Sequence, residues 1–338
     1  MKKTRRKFGF TIVELLTVMA IIAILMGLLL PAMQAVRKAA KDVSQKAQFK
    51  TIETALEAFN NENGTYPESS RSPSNATLVT VGAHKLCEGL VGRDLQGYDP
   101  KSSWDLETDE TSPEIYADKE TPVVSNDDEI NGSNKRRQDL YLAADKVETF
   151  QLAQLFNSTG KAYPGNLDNT GGTVTGDYVA APVMTDVYRS KKVILPNGTS
   201  LIAGTPILYY RADVSSKKFA DTKLTNDDAY GDDLAFAITE NAIDDYIYDV
   251  NDNIELIKLY QMMKPTSANR HHFDEQYTED VTVAGGTQTV NGLWLFYDRI
   301  TNPKMTQPKP YNMNSYILIS AGNDGIYGTK DDICNFEK

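Results

Sequence analysis

Cysteine, histidine and tryptophan are scarce in this 338-residue chain, at two, three and two residues. Two cysteines leave room for a single bridge, Cys87 with Cys334, which in an oxidising compartment would close a long loop worth about 4 to 5 kcal/mol in the chain-entropy model. A buried thiol suits Cys87 equally, because Leu86, Leu90 and Val91 share its apolar helical face. The histidines make no metal set. His84 has no cysteine or histidine at ligand spacing, and His271 and His272 stand in a polar stretch that reads as solvated loop. P-loop, G-x-G-x-x-G, H-E-x-x-H and G-x-S-x-G patterns are all missing, so an enzyme is not indicated. Basic residues are too few for a nucleic-acid face: 35 Lys and Arg against 46 Asp and Glu give a net charge of -11. A mean hydropathy of -0.42 excludes a polytopic membrane protein, while 41% hydrophobic residues exclude a disordered one.

The apolar residues are unevenly spread. Lys2, Lys3, Arg5, Arg6 and Lys7 crowd the first seven positions, and no charge occurs from Leu15 through Val36. As a helix rising about 1.5 Å per residue, that stretch is about 33 Å long, enough for a bilayer core of about 30 Å. The basic flank belongs in the cytoplasm by the positive-inside rule, which leaves the body outside it. A cleaved secretory signal has a shorter apolar region and a small-x-small end, whereas Met33-Gln34-Ala35 puts a large residue where a small one is wanted. A plain anchor leaves Glu14 unexplained, since an unpaired ionisable group in the membrane costs about 2.5 to 3.5 kcal/mol.

Lys7-Phe8-Gly9-Phe10-Thr11-Ile12-Val13-Glu14-Leu15-Leu16 resembles the class III signal of type IV pilins and type II secretion pseudopilins. The resemblance implies cleavage between Gly9 and Phe10 by a prepilin peptidase, N-methylation of Phe10, and an assembly role for Glu14 as the fifth mature residue. Cleavage would create a cationic amine at Phe10, and in a fibre Glu14 of one subunit would neutralise the amine of its neighbour. Before assembly, Glu14 is either protonated or paired within its own chain, and the sequence leaves both open.

Beyond the apolar run, Phe49, Ile52, Leu56 and Phe59 recur at helical spacing, with Lys41, Gln45, Lys50, Glu53 and Glu57 in the remainder. One helix is therefore expected from about Phe10 to about Glu62, disturbed at Pro31 and ended at Asn63-Gly64. Asn63-Gly64-Thr65-Tyr66-Pro67 also resembles the segment after the long helix in major pseudopilins. In the enlarged middle, from about 68 to 310, patterning predicts helices at Ala83 to Val91 and Ile254 to Met263. A loop is expected from Lys101 to Gln138. Strands are expected at Tyr178 to Met184, Ile207 to Arg211, Leu234 to Ile238, Leu293 to Tyr297 and Tyr316 to Ile319. Asp249, Asn251, Asn253 and Glu255 start like a calcium loop, but Ile254 and Tyr260 spoil it, so they read as surface groups. Asp227, Asp228, Asp232 and Asp233 read as a solvated turn, and the 18 tyrosines as aromatic packing.

Ser320 to Ile333 carries three carboxylates and three glycines after a predicted strand, and resembles the calcium loop of major pseudopilins. Calcium takes six to eight oxygens. By resemblance the ligands are Asp324, Asp331 or Asp332, Ser320, and carbonyls near Leu318; an Asp-Gly turn with solvated acids is the alternative.

The expected molecule is an α+β, pilin-like protein. It comprises a leader (1-9), a membrane-spanning half helix (10-36), an amphipathic half (37-62) and an enlarged antiparallel globular domain (63-338) with a calcium-type loop at 318-333. The resemblance implies a pseudopilin of a type II secretion-like periplasmic filament, anchored once in the inner membrane with its N-terminus inside. Its partners would be prepilin peptidase, other copies of itself, minor pseudopilins, the inner-membrane assembly platform and membrane lipid. A surface type IV pilin, or an envelope enzyme or binding protein borrowing the signal, are the alternatives.

Overall fold

A 52-residue helix, α1 (Ile12–Asn63), runs on through Pro31. The computed structural model describes residues 11–71, 79–93, 95–100, 137–143, 145–163, 181–194, 198–219, 246–262, 264, 266–283 and 286–336. Gly9 and Phe10 lie outside them, as do the predicted strand Leu234 to Ile238, the acids at 227, 228, 232 and 233, most of the predicted loop Lys101 to Gln138, and the start of the predicted strand at Tyr178.

The chain divides into two units, Met1–Ser44 and Gln45–Lys338. In the first, α1 is exposed all round, from Ile12 to Val36 and beyond, and it is long and apolar enough to cross a membrane.

The second unit begins inside α1, where Gln45, Gln48, Phe49, Ile52, Ala55, Leu56 and Phe59 form one buried stripe. Its unit boundary thus falls at Gln45 and not at the end of the helix, because this stripe is part of the body's core. Gln45, expected among the outward residues, is fully buried: its Oε1 accepts from Val187 N at 3.0 Å, and Gln48 Nε2 donates to Thr185 O at 2.9 Å. Helix α1 stops as expected, with Gly64 at φ 74°, a conformation that glycine adopts without a Cβ clash.

The remaining described elements are α2 (Gly82–Val91), β1 (Thr149–Phe150), α3 (Leu152–Leu155), β2 (Val183–Met184), β3 (Lys191–Ile194), β4 (Ser200–Ala203), β5 (Leu208–Arg211), a 3-10 turn (Val250–Asn253), α4 (Ile254–Ile257), a second 3-10 turn (Ser267–Asn269), β6 (Thr278–Val283), β7 (Gly286–Asn291), α5 (Gly292–Ile300), β8 (Tyr316–Ser320) and β9 (Ile333–Cys334). The central antiparallel sheet has the order β5-β8-β9, with Leu208 opposite Ile319 and Tyr210 opposite Ile317. Both faces are covered. Tyr209, Tyr316 and Leu318 pack with the α1 stripe and with Leu86, Cys87 and Leu90 of α2; Leu208, Tyr210, Ile317 and Ile319 pack into a larger cluster with Phe273, Leu293, Phe296 and Tyr297. A strand buried on both faces reads as a continuous apolar run, which is why Tyr316 to Ile319 was legible. Each fully buried Leu, Ile or Phe in these clusters contributes about 1.5 to 3 kcal/mol of transfer free energy. Tyr209, Tyr210, Tyr248, Tyr297 and Tyr327 are fully buried, so these tyrosines pack rather than recognise.

Four expectations are corrected. Leu293 to Tyr297 is helix, not strand: Asn291 caps α5 by accepting from Trp294 N at 3.0 Å, and Leu293, Phe296, Tyr297 and Ile300 fall on one helical face. The helix expected over Ile254 to Met263 shrinks to one turn after a 3-10 turn. Asn251, Asn253 and Glu255 are buried, not surface groups, and Asp249 caps the turn by accepting from Asn251 N at 2.8 Å. Cys87 and Cys334 form no disulfide and are buried in different clusters. Hairpins β3-β4 and β6-β7 were not foreseen, since their strands alternate weakly between apolar and polar residues.

Candidate functional site

Two places carry chemistry. At the start of α1, Thr11 and Glu14 close on each other. Thr11 N donates to Glu14 Oε2 at 2.9 Å, Thr11 Oγ1 donates to the same oxygen at 2.7 Å, and Glu14 N donates to Thr11 Oγ1 at 3.2 Å. This is a capping box, which satisfies backbone N-H groups that the first turn otherwise leaves open. The Glu14 carboxyl thus has hydrogen-bond partners within its own chain. Thr11 itself was overlooked as a partner, although its Thr-x-x-Glu spacing is a readable signal.

The second place is the acidic turn between β8 and β9. Thr329 Oγ1 stands 2.9 Å from Asp324 Oδ2 and 2.7 Å from Asp331 Oδ1, bridging the two carboxylates. Asp331 Oδ2 accepts from Asn323 N at 2.9 Å and Asp324 N at 3.1 Å, while Asp324 Oδ1 accepts from Ile326 N at 2.8 Å. Burial and the neighbouring Asp331 push the Asp324 carboxyl up to about 6; Asp331 is also half-buried, yet hydrogen bonds from Thr329 and the backbone hold it below the usual carboxylate value. Asp332 is buried and pushed well up; its Oδ2 accepts from Gly328 N at 2.7 Å, and its Oδ1 is buried without a partner. Gly322 makes the turn possible. At φ 64° its Cβ would lie 2.1 Å from Asp331 O.

The turn is pinned from outside. Tyr327 N donates to His271 Nδ1 at 3.1 Å, His272 N donates to Tyr327 O at 2.8 Å, Tyr327 OH donates to Pro206 O, and Gln261 Nε2 donates to Asp324 O. His271 is therefore a buried strut rather than a loop residue, and burial pushes its pKa down to about 3. His84 is likewise buried, accepting from Val81 N at 3.2 Å at the start of α2, and is pushed down to about 3.

The five expected cation ligands do not all meet. Asp324 and Asp331 do, with Asp332 beside them, but Ser320 Oγ donates to Asp186 Oδ2 at 3.0 Å and Leu318 O accepts from Asn335 N at 3.2 Å. Among the described residues, no three Asp, Glu, His or Cys side chains are grouped to hold a metal ion. Asp186, far away in sequence, gave no signal; it also accepts from Thr205 N and Tyr188 N, both at 3.1 Å.

A further buried acid, Asp252, accepts from Ser69 Oγ. Burial and the charge of Asp249 push it up to about 7.

Comparison with known proteins adds two findings. Residues 4–30 match the family model of the prokaryotic N-terminal methylation motif. The chain is 33% identical over 94 residues, which is 25% of its own length and 72% of the relative's, to the type IV wide pilus major component PilA4 of Thermus thermophilus. No solved structure matches.

Proposed function

The chain belongs to the type IV pilin-like family, and from that premise we propose that it is a filament subunit of the type II secretion kind, a pseudopilin. The observation that carries this reading is the acidic turn held on β8 and β9, paired with the methylation-type start. In this reading prepilin peptidase removes residues 1 to 9 and Phe10 is methylated. The apolar half of α1 holds the subunit in the inner membrane with its body outside, and copies add to a periplasmic filament through that helix on the assembly platform, capped by minor pseudopilins.

The Thr11-Glu14 box gives Glu14 two successive partners. In the free subunit it caps its own helix; in the fibre it meets a neighbour's Phe10 amine, exchanging a hydroxyl and an amide for a full charge. Glu14→Ala should leave insertion intact and lower filament yield; unchanged yield would count against the pairing. Mass spectrometry tests the processing directly, expecting a chain that begins at methylated Phe10, and a mature chain still beginning at Met1 would defeat the assignment.

Calcium is proposed for the acidic turn. Asp324 and Asp331 face one another across Thr329, a hard-oxygen donor set whose mutual repulsion a bound cation would relieve. Backbone carbonyls of the turn and water would complete its shell; Ser320 and Leu318 are committed elsewhere. Calcium should raise the melting temperature of the body relative to a chelator, and Asp324→Ala should shrink that difference. Equal melting temperatures would leave the turn as solvated acids.

A surface pilus subunit is the second reading, favoured by the name of the Thermus relative. A deletion strain scored for secretion and for surface fibres separates the two.

A further inference from the structure

Charge is unevenly divided along the chain. Of its 46 acidic residues only Glu14 and Asp42 precede Gln45, so the first unit is apolar and basic while the second carries the acids. Beyond the leader, the first cations are Arg37, Lys38 and Lys41, directly after the uncharged run that ends at Val36. Arg37 and Lys38 are exposed and Lys41 is partly so, and all three stand on α1 within the first unit. Lys41 lies three residues from Lys38 and four from Arg37, so the three share one side of the helix. Val36 and Val43, both exposed, take the other side with Ala39 and Ala40.

Their depth follows from length. The run from Leu15 to Val36 fills the hydrocarbon core, and the headgroup layers add about 5 to 7 Å on each side of it. Arg37 to Lys41 occupy the next turn of helix, about 1.5 to 7.5 Å beyond Val36 along the axis. Their guanidinium and ammonium groups therefore come level with the lipid phosphates. We propose that Arg37, Lys38 and Lys41 form a binding surface for anionic phospholipid headgroups in the outer half of the membrane that α1 spans. The proposal rests on the membrane-anchored reading above.

Charge complementarity selects this occupant. The bias that keeps Lys and Arg in the cytoplasm counts residues near both ends of a span, so three cations on the exported flank work against the orientation the leader imposes. The leader's Lys2, Lys3, Arg5, Arg6 and Lys7 outweigh them during insertion. Once residues 1 to 9 are removed in the proposed processing, the three are the cations that flank the span. Asp42 is the one acid beside them and leaves the positive charge in excess. Arg37 presents a fork that fits two phosphate oxygens, and the two lysines add point charges. A zwitterionic headgroup offers the same phosphate but cancels it with its own amine, so discrimination falls on the net charge of the lipid.

The full-length chain in phosphatidylcholine vesicles, with a trace of spin-labelled phosphatidylglycerol or spin-labelled phosphatidylcholine, tests the surface, because the fraction of label immobilised at the protein reports which headgroup it selects. Wild type should select phosphatidylglycerol, and Arg37→Gln, Lys38→Gln and Lys41→Gln together should lower that preference about two-fold or more. The leader is present in both chains, so its cations cancel in the comparison. Arg37→Lys with Lys38→Arg and Lys41→Arg should keep the preference, and about 1 M salt should weaken it in wild type. Equal preference in wild type and the glutamine variant would overturn the proposal. So would a preference that disappears when the protein is diluted in lipid, since the cations would then be meeting a second copy. Melting temperatures of the variants control for folding. If alkaline carbonate strips the unaltered chain from the vesicles, the membrane-anchored reading fails, and this proposal with it; if the chain stays and the glutamine variant is indifferent, this proposal fails alone.

Discussion

Gln48 on α1 donates its side-chain amide to the backbone carbonyl of Thr185 at 2.9 Å, and one turn earlier Gln45 accepts from Val187 N. The two glutamines act as a strand edge would, offering a donor and an acceptor to segment 185-187 just after β2. They join the helix to the body by hydrogen bonds beside a stripe that otherwise binds through Phe49, Ile52, Leu56 and Phe59.

Replacing Gln48 with Met keeps the volume but leaves Thr185 O buried and unpaired. A loss of about 1 to 3 kcal/mol is expected in urea unfolding of a chain starting at Arg37. No change would mean that water takes over the carbonyl.

Asp252 gives a pH prediction whose sign is opposite to the usual carboxylate. Its folded value of about 7 stands above the ordinary carboxylate value of 3.8, so between those values the folded state binds the extra proton and stability falls as pH rises. Asp252→Asn removes that fall. Relative to wild type, the variant should gain about 1.4 kcal/mol per pH unit between roughly pH 4 and 7. His84 and His271 act in the other sense. Folded values near 3 against 6.5 unfolded mean that stability drops as pH falls through that window. Parallel stability curves for wild type and Asp252→Asn would refute the assignment.

Both cysteines are buried and form no disulfide, and burial pushes the Cys87 thiol up, so the native chain should resist a thiol reagent. Two thiols should react in urea without a reductant. Fewer than two would mean that oxidation occurs after all.

Gly322→Ala sets a Cβ against Asp331 O at a positive φ. A cost of about 1 to 3 kcal/mol is expected, together with loss of any calcium-dependent rise in melting temperature. A full calcium response in a destabilised variant would separate the cation from the Asp324-Asp331 geometry.

The sequence by itself determined what depends on local pattern and on chemistry in the membrane. The uncharged run from Leu15 to Val36, the motif from Gly9 to Glu14, the stop at Gly64 and the doubly buried strand Tyr316 to Ile319 each follow from neighbours a few residues away. Only the tertiary structure decided the rest, because the deciding partners are distant in the chain. Gln45 is buried because Val187 needs an acceptor, His271 because Tyr327 needs one, and the Ser320 hydroxyl is spent between Gly322 N of the turn and Asp186, 134 residues earlier. Leu293 to Tyr297 misled for a subtler reason: five apolar and aromatic residues in a row satisfy strand and helix alike, and it was the Asn291 cap and the apolar face completed by Ile300 that made α5 a helix. Polar side chains take their place from whichever backbone group has been left open, and that is fixed only when the chain has closed on itself.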